Sequence, residues 1–230
     1  MLMKILITSG GTTEAIDSVR SITNHSTGRL GKMIAETFLN QEHEVTLVTT
    51  KHAVKPESHS LLSLRIISSV ANLQDALEEL VPQHDVLIHA MAVSDYTPVY
   101  MTDLDELKNT SDIAQLLEKT NTESKISSAS DYQVLFLKKT PKLISQVKVW
   151  HPNIKLVGFK LLVDVSKKEL VSVARESLRK NKADFILAND LSQITTDRHQ
   201  AWLVGQDSIQ EAQTKDSIAK LIYKEVTKHD

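Results

Sequence analysis

The chain has no cysteine among its 230 residues. This absence excludes a disulfide framework, a thiolate zinc site and a cysteine nucleophile. Positive charge is not in excess, because 27 lysines and arginines stand against 29 aspartates and glutamates, and the net charge is −2. Bulk nucleic-acid binding, which depends on a basic surface, is therefore not expected. No stretch approaches the roughly 20 apolar residues that a membrane helix requires.

The remaining proportions are those of an ordinary globular protein. Apolar residues make up 41 % of the chain and charged residues 24 %, as in a typical soluble domain. The first residues show no separate cationic and apolar regions followed by a cleavage site. We therefore expect a cytoplasmic enzyme or binding protein, without nucleic-acid or membrane partners, that forms a single domain over residues 1–230.

Short apolar runs alternate with segments of helical period along most of the chain. The predicted strands are 4–8, 44–49, 64–67, 85–92, 155–159, 185–188 and 201–204. Several are followed by apolar residues at helical spacing, which predicts a covering helix. The alternation, with strands apolar on both faces, predicts an α/β fold: a Rossmann-like, mostly parallel sheet with helices on both faces.

One polar segment, 97–132, interrupts this alternation. We interpret it as an excursion from the sheet, with a short helix around 112–119, followed by an antiparallel strand at 133–138. Thr140 and Pro141 then predict a helix that carries proline in its first turn.

Polar and glycine residues follow four of the predicted strands. They are Gly10-Gly11-Thr12-Thr13-Glu14, Val93-Ser94-Asp95-Tyr96, Gly158-Phe159-Lys160 and Asn189-Asp190. Ligands of open parallel sheets bind beyond the carboxyl ends of the strands. The sequence therefore predicts a ligand site at this edge of the sheet.

The segment Asn24–Gly31 predicts a helix start that could hold an anion. Ser26 or Thr27 can cap the helix, and Gly28 and Gly31 allow close approach to its first turn. Free N–H groups and the helix dipole favour an anion there. An ordinary capped helix with two packing glycines explains the same pattern, and spacing alone does not decide between these interpretations.

Four other residues also have two interpretations. Asp95 is either a ligand contact or a turn residue, and Lys180 either a ligand contact or a charge that compensates a helix dipole. Asn189 is compatible with either a ligand contact or a capped turn, and Phe159 with either core packing or stacking on a base. The 9 histidines form no metal-binding spacing, so no metal site built from protein ligands is predicted, although magnesium could arrive with a nucleotide.

Taken in order, these motifs are similar to those of a known family. The distinctive block runs Asp17-x-Val19-Arg20-x-Ile22-Thr23-Asn24-x-Ser26-Thr27-Gly28-x-x-Gly31, and it is followed by Ala92–Tyr96, Lys125-Ile126, Gly158-Phe159, Lys180-Asn181 and Ala188–Asp190. The chain resembles phosphopantothenoylcysteine synthetases over about residues 3–228. Because nothing precedes Met1, the resemblance is to a stand-alone bacterial form.

The resemblance implies a two-step ligation in coenzyme A biosynthesis. The carboxylate of (R)-4′-phosphopantothenate attacks the α-phosphate of a nucleoside triphosphate, CTP or possibly ATP, and pyrophosphate leaves. The amine of L-cysteine then attacks the acyl-nucleotide and releases the monophosphate. Magnesium would accompany the triphosphate. The resemblance further implies a homodimer with shared active sites, in which residues 97–138 form the dimer arm and the lid.

The same resemblance assigns roles to individual residues. Asn24 would orient the acyl-nucleotide, and Lys125 would lie on the loop that closes over it. The implied nucleotide-binding residues are Gly10, Gly11, Ser26, Gly28, Gly31, Phe159, Lys180 and Asn189. Met91, Ala92 and Asp95 would contact the substrate.

Two alternatives compete with the ligase. An NAD(P)-dependent reductase should show a G-x-G-x-x-G turn after the first strand, whereas that turn reads Gly10-Gly11-Thr12-Thr13-Glu14. A non-catalytic nucleotide-binding module would explain the glycines and the apolar strands. It would not explain the joint presence of Asn24, Asp95 and Lys180.

Overall fold

The computed structural model describes residues 2–228, so Met1, His229 and Asp230 of the predicted domain lie outside the described residues. The strands are β1 (Lys4–Ser9), β2 (Thr13–Ala15), β3 (Ser21–Thr23), β4 (Glu44–Thr50), β5 (Leu62–Ile67), β6 (Val86–His89), β7 (Tyr96–Asp103), β8 (Gln133–Lys139), β9 (Lys155–Leu162), β10 (Phe185–Ile194), β11 (His199–Val204) and β12 (Ile209–Ala212). The α-helices are α1 (Arg29–Leu39), α2 (Val70–Leu80), α3 (Leu104–Asn109), α4 (Val147–Trp150), α5 (Lys167–Asn181) and α6 (Lys215–Thr227).

Eight strands form one sheet in the order β12-β11-β10-β9-β6-β1-β4-β5. Six neighbouring strands of this sheet are parallel to one another: β5, β4, β1, β6, β9 and β10. Strands β11 and β12 extend the sheet beyond β10, and each is antiparallel to its neighbour. The chain runs from β1 outwards to β5 and then returns to the other side of β1 at β6. The strand order therefore reverses between β1 and β6, as in doubly wound α/β proteins. This architecture confirms the predicted fold class.

The hydrophobic core consists of one cluster on each face of the sheet. Leu6, Leu87 and Leu156 pack with α2 and α5 on one face, whereas their neighbours Ile5 and Ile88 pack with α1 and α6 on the other. Successive side chains of a strand point to opposite faces. Central strands covered on both sides must therefore be apolar at every position, which is why β1 and β6 appear in the sequence as continuous apolar runs.

The predicted excursion is a two-stranded antiparallel ribbon. Strands β7 and β8 pair with each other and not with the main sheet. A 3₁₀ helix occupies Ile113–Glu118, where a short helix was predicted. The strand predicted at 133–138 is confirmed. The excursion from the main sheet is also confirmed, but its strand Tyr96–Asp103, which pairs with β8, was not predicted. This strand is only half-buried and contains Pro98, so it lacks the pattern of a buried strand.

Three further local predictions need correction. The helix expected at Thr140 is absent; a 3₁₀ turn begins at Leu143 and α4 only at Val147, because Thr140 is bound to Ser94 and Asp95 instead. The strand predicted through 92 ends at His89. The β2–β3 hairpin and strand β12 were not predicted, since strands of three or four residues carry little periodicity.

The expected cap of α1 is also wrong. Neither Ser26 nor Thr27 is the N-cap residue; that position is Gly28, in the left-handed conformation with φ 77°, and it has no side-chain cap. Thr27 Oγ1 accepts only a long hydrogen bond of 3.4 Å from the N–H of Arg29. Between residues 2 and 228, no helix is both long and apolar enough to cross a bilayer.

Candidate functional site

The strand-order reversal brings two loops together at the carboxyl ends of β1 and β6. Gly11 forms a parallel bridge with Ala92, and the N–H of Ala92 donates to the carbonyl of Gly10 at 2.9 Å. Gly10 has φ 88°, a conformation that favours glycine. A Cβ on Gly11 would lie 2.6 Å from the carbonyl oxygen of Asn24. Gly10 therefore permits the turn after β1, and Gly11 leaves room for the backbone of Asn24 against that turn.

Asn24 lies on this junction, directly after β3. Its Nδ2 donates to Ser94 Oγ at 3.1 Å and to the carbonyl of Ala92 at 3.3 Å. Ser94 Oγ also accepts from Thr12 Oγ1 at 3.0 Å, and Thr12 Oγ1 accepts from the N–H of Ser94. The Ser94 hydroxyl hydrogen has no acceptor among the described residues, so it is available to a ligand.

A cleft of about 410 Å³ opens beside Ser94 on the α2/α5 face of the sheet. It brings together the predicted residues Met91, Asp95, Phe159 and Lys180. Asp95 forms an ion pair with Lys142, and more than half of each side chain is exposed. An exposed pair of this kind contributes little to stability. Both groups can therefore exchange this partner for a charged ligand.

His89 lies in the same cleft as a neutral donor. Its Nδ1 is 2.8 Å from Thr8 Oγ1, which also accepts from the N–H of Met91. The buried Thr8 hydroxyl can donate its hydrogen only to Nδ1, so the ring proton resides on Nε2. Burial lowers the pKa of His89 to about 4, which keeps the ring uncharged near neutral pH.

The start of α1 lies on the other face of the same edge. The first backbone bond of the helix runs from Lys32 to Gly28, leaving the N–H groups of Leu30 and Gly31 ahead of it. A Cβ on Gly31 would lie 2.5 Å from Ser9 Cβ. Gly31 thus permits close packing of α1 on β1, while the helix start keeps the free donors expected of an anion site.

Two predicted nucleotide contacts, Phe159 and Asn189, lie mainly on this α1/α6 face. Phe159 packs against the core cluster there. Asn189 is buried and its Nδ2 lies 2.9 Å from His199 Nε2. The structure therefore brings Phe159 to the cleft edge, but it places the Asn189 amide against His199.

Lys125 lies on a segment that is docked onto the β2–β3 hairpin. Ser18 N–H donates to the carbonyl of Ser124 at 3.0 Å, and the Asp17 carboxylate accepts from the N–H of Ile126 at 3.1 Å. The carboxylate of Asp17 accepts several hydrogen bonds, of which the one from the Arg20 side chain has the largest effect. These bonds hold the pKa of Asp17 well below its usual range. Since the hairpin leads directly into Asn24, Lys125 and Asn24 are supported by the same element.

Sequence reasoning did not single out several residues of this site: Thr8, Ser94 as the hydrogen-bonding centre, and Lys142 as the partner of Asp95. No group of three or more histidine, aspartate or glutamate residues within 2–228 is arranged to hold a metal ion.

The fold defines a doubly wound α/β protein, and the cleft is a candidate ligand site where the strand order reverses. Residues 2–122 and 109–229 match the DNA/pantothenate metabolism flavoprotein C-terminal domain. The chain belongs to this family, which confirms the resemblance seen in its motifs.

Individual relatives agree with this assignment. The coenzyme A biosynthesis bifunctional protein CoaBC of Thermococcus kodakarensis is 32 % identical over 229 residues, which cover 98 % of this chain and 51 % of that protein. The chain thus spans about half the length of this curated relative. The crystal structure of the DNA/pantothenate metabolism flavoprotein from Streptococcus pneumoniae is 57 % identical, with a TM-score of 0.93 and 97 % and 98 % of the two chains covered.

A more distant structure shares the fold. A Cab2 variant in complex with phosphopantothenate-cysteine is 20 % identical, with a TM-score of 0.73, and 97 % of this chain and 85 % of that chain are covered.

Proposed function

We propose that the chain is a carbon–nitrogen ligase that joins L-cysteine to (R)-4′-phosphopantothenate in coenzyme A biosynthesis. A nucleoside triphosphate is cleaved to the monophosphate and pyrophosphate through an acyl-nucleotide; CTP is the first candidate for this nucleotide and ATP the second. Membership in the pantothenate-metabolism family supports this proposal, as does the name of the CoaBC relative. The observation that carries it is the junction of Asn24 with Ala92 and Ser94 at the strand-order reversal.

The reaction requires positioning and charge stabilisation, and no protein nucleophile. The free N–H groups of Leu30 and Gly31 and the dipole of α1 are suited to phosphate oxygens. On the cleft side, Ser94 presents a hydroxyl and His89 presents an N–H, while the Asn24 amide, whose Nδ2 donates to Ser94 and Ala92, holds Ser94 in place. These neutral donors stabilise a developing oxyanion without adding a permanent charge to a site that must release pyrophosphate.

In this proposal Lys125 closes over the triphosphate, and its positive charge neutralises charge that develops on the phosphates. Gly10, Gly11, Ser26, Gly28 and Gly31 line the nucleotide side, together with Phe159, Lys180 and Asn189. Met91, Ala92 and Asp95 contact phosphopantothenate. Magnesium accompanies the triphosphate and neutralises part of its charge, without ligands from the protein.

We also propose that residues 1–230 form one domain of a cytoplasmic enzyme that acts as a homodimer, in which 97–138 serves as dimer arm and lid. The cytosol keeps the thiol of cysteine reduced. An analytical ultracentrifugation measurement of a monomer at assay concentration would contradict the dimer.

The test of the ligase is pyrophosphate release by the purified protein. We expect release from CTP that requires phosphopantothenate and precedes the addition of cysteine, because the acyl-nucleotide forms first. Parallel kinetics with CTP and ATP determine the preferred nucleotide. Absence of turnover with both nucleotides and verified substrates would refute the ligase, whereas oxidation of NAD(P)H would support the reductase.

A further inference from the structure

A second cleft lies on the other side of the last turns of α5, and its lining shares no residue with that of the candidate active site. It encloses about 770 Å³ between the amino ends of β9 and β10, the last turns of α5, the loop 205–208 and the end of α6. Five basic residues contribute to its lining: Lys155, Arg175, Arg179, Lys182 and Lys228. A chain with a net charge of −2 thus concentrates positive charge at one concave site.

The two carboxylates in this cleft are already neutralised. Asp184 Oδ2 lies 3.0 Å from Lys148 Nζ and accepts from the N–H of Leu156 at 2.7 Å. Glu225 is buried and pairs with Lys228 at 2.5 Å. Neither carboxylate is therefore available to balance the remaining cations.

Arg175, Arg179 and Lys182 have no carboxylate within ion-pair distance in the part of the chain that the structure describes. Arg175 and Arg179 are separated by one helical turn on α5, a spacing at which like charges repel by a few tenths of a kcal/mol. The negative end of the α5 dipole accounts for Arg179 and Lys182. It does not account for Arg175, because the effect fades beyond the last turn.

An apolar wall lies beside these cations. Phe185, Leu178 and Ala183 line the cleft, and a Cβ on Gly205 would lie 3.0 Å from Cε1 of Phe185. The loop after β11 therefore approaches the ring closely and closes the cleft on that side. Basic side chains next to an aromatic ring can contact both ends of a molecule that carries phosphate at one end and a ring at the other.

We propose that this cleft binds a small phosphorylated molecule that carries a ring or another apolar group. Arg175 and Arg179 bind its phosphate oxygens, since the guanidinium fork matches two oxygens at once, and Lys182 adds a third positive charge. The apolar group packs against Phe185. The ligand is additional to the substrates of the ligation, because the two clefts share no lining residue although both include the last turns of α5.

Titration of ¹⁵N-labelled protein at constant ionic strength tests this site with two probes, ADP and inorganic pyrophosphate. We expect saturable shifts of the amide signals of Lys182, Ala183 and Gly205, with tighter binding of ADP because only ADP carries a ring. The amides of Gly10 and Gly11 report the candidate active site separately. Failure of the ligase assay would therefore leave this measurement unaffected.

Variants distinguish a built site from general attraction of anions. The double variant R175Q/R179Q should weaken ADP binding at Gly205 by at least about tenfold, as expected when two charge-assisted contacts are lost. The matched control K108Q/K138Q removes the same charge from exposed positions outside this cleft and should change the Kd less than about twofold. Unsaturable shifts, or equal weakening in both variants, would overturn the proposal.

Discussion

The carboxylate of Asp17 accepts a hydrogen bond from the backbone N–H of Ile126 at 3.1 Å, which joins the first hairpin to the segment that carries Lys125. The same carboxylate binds the guanidinium of Arg20, whose Nη2 donates to the carbonyl of Ile126 at 2.9 Å. Both backbone groups of Ile126 are thus bound by one ion pair. Asp17 and Arg20 therefore position the backbone of Lys125 without being placed to touch a ligand themselves.

Replacement of Asp17 by asparagine should weaken nucleotide binding. The neutral amide releases Arg20 and loses the charged acceptor of the Ile126 N–H, so the Lys125 segment becomes more mobile. We expect the KM for the nucleoside triphosphate to rise about tenfold with a smaller change in kcat, the signature of lost binding in both ground and transition states. Steady-state kinetics with the preferred nucleotide measure this split.

The control for this prediction is Asp131→Asn, which removes one exposed carboxylate from the same polar excursion. It should leave both constants unchanged. Lys125→Gln should raise the KM by a similar factor, and the double variant with Asp17→Asn should add little, because both changes act through one group. Fully additive effects would show that Asp17 does not act through Lys125.

Replacement of Asn24 by aspartate should stop the reaction while preserving the fold. The substitution removes the Nδ2 donor and directs carboxylate oxygens towards the carbonyl of Ala92 and towards bound phosphate. We expect the overall rate to fall at least about 100-fold, because the new carboxylate repels the phosphate and Ser94 loses the donor that positions its hydroxyl; loss of one oxyanion donor costs a similar factor. Asn40→Asp, at the exposed end of α1, is the matched control and should retain full activity. Near-normal turnover of the Asn24 variant would exclude its proposed role.

The sequence was sufficient to predict the parallel sheet and the edge at which most of the candidate site residues gather. Both follow from strong local signals, because buried parallel strands such as 4–8 are apolar at every position. The β7–β8 ribbon was harder to predict. Its strand Tyr96–Asp103 is half-buried and contains a proline, and its partner lies about 30 residues later, so pairing depends on a contact that no local pattern encodes.

The individual contacts of the site were less predictable than its location. Asp95 could be selected by its position after a predicted strand and Asn24 by its place in the block that carries the family resemblance, whereas the roles of Thr8 and Thr12 depend on hydrogen bonds to residues more than eighty positions away. The cap of α1 was misassigned because Gly28 adopts a left-handed conformation that places Ser26 and Thr27 outside the helix. Long-range geometry decided both outcomes.

Replacement of Gly31 by alanine should destabilise the protein. Its Cβ would lie 2.5 Å from Ser9 Cβ, so α1 must move away from β1. Overpacking of this kind costs about 1–3 kcal/mol of unfolding free energy, which urea denaturation measures. The displaced helix start should also reduce nucleotide affinity.

Ser9→Gly provides the compensating change for this prediction. It removes the atoms that clash, so the double variant S9G/G31A should recover part of the stability lost by G31A alone, although glycine in a strand costs up to about 1 kcal/mol. A double-mutant cycle with zero coupling would show that Ser9 is not the obstacle.

His89 should make the stability of the protein depend on pH. Burial lowers its pKa from 6.5 to about 4 in the folded state, so the unfolded chain takes up the proton first as the pH falls. Stability therefore decreases between about pH 6.5 and 4, and the contribution at about pH 5 amounts to about 2 kcal/mol. Urea denaturation of the wild type and of His89→Gln, at about pH 7.5 and 5, isolates this effect, because glutamine does not titrate. His199, whose pKa is also lowered to about 4, remains in both proteins and cancels in the comparison. Equal pH dependence of the two proteins would show that His89 is not buried in its neutral form.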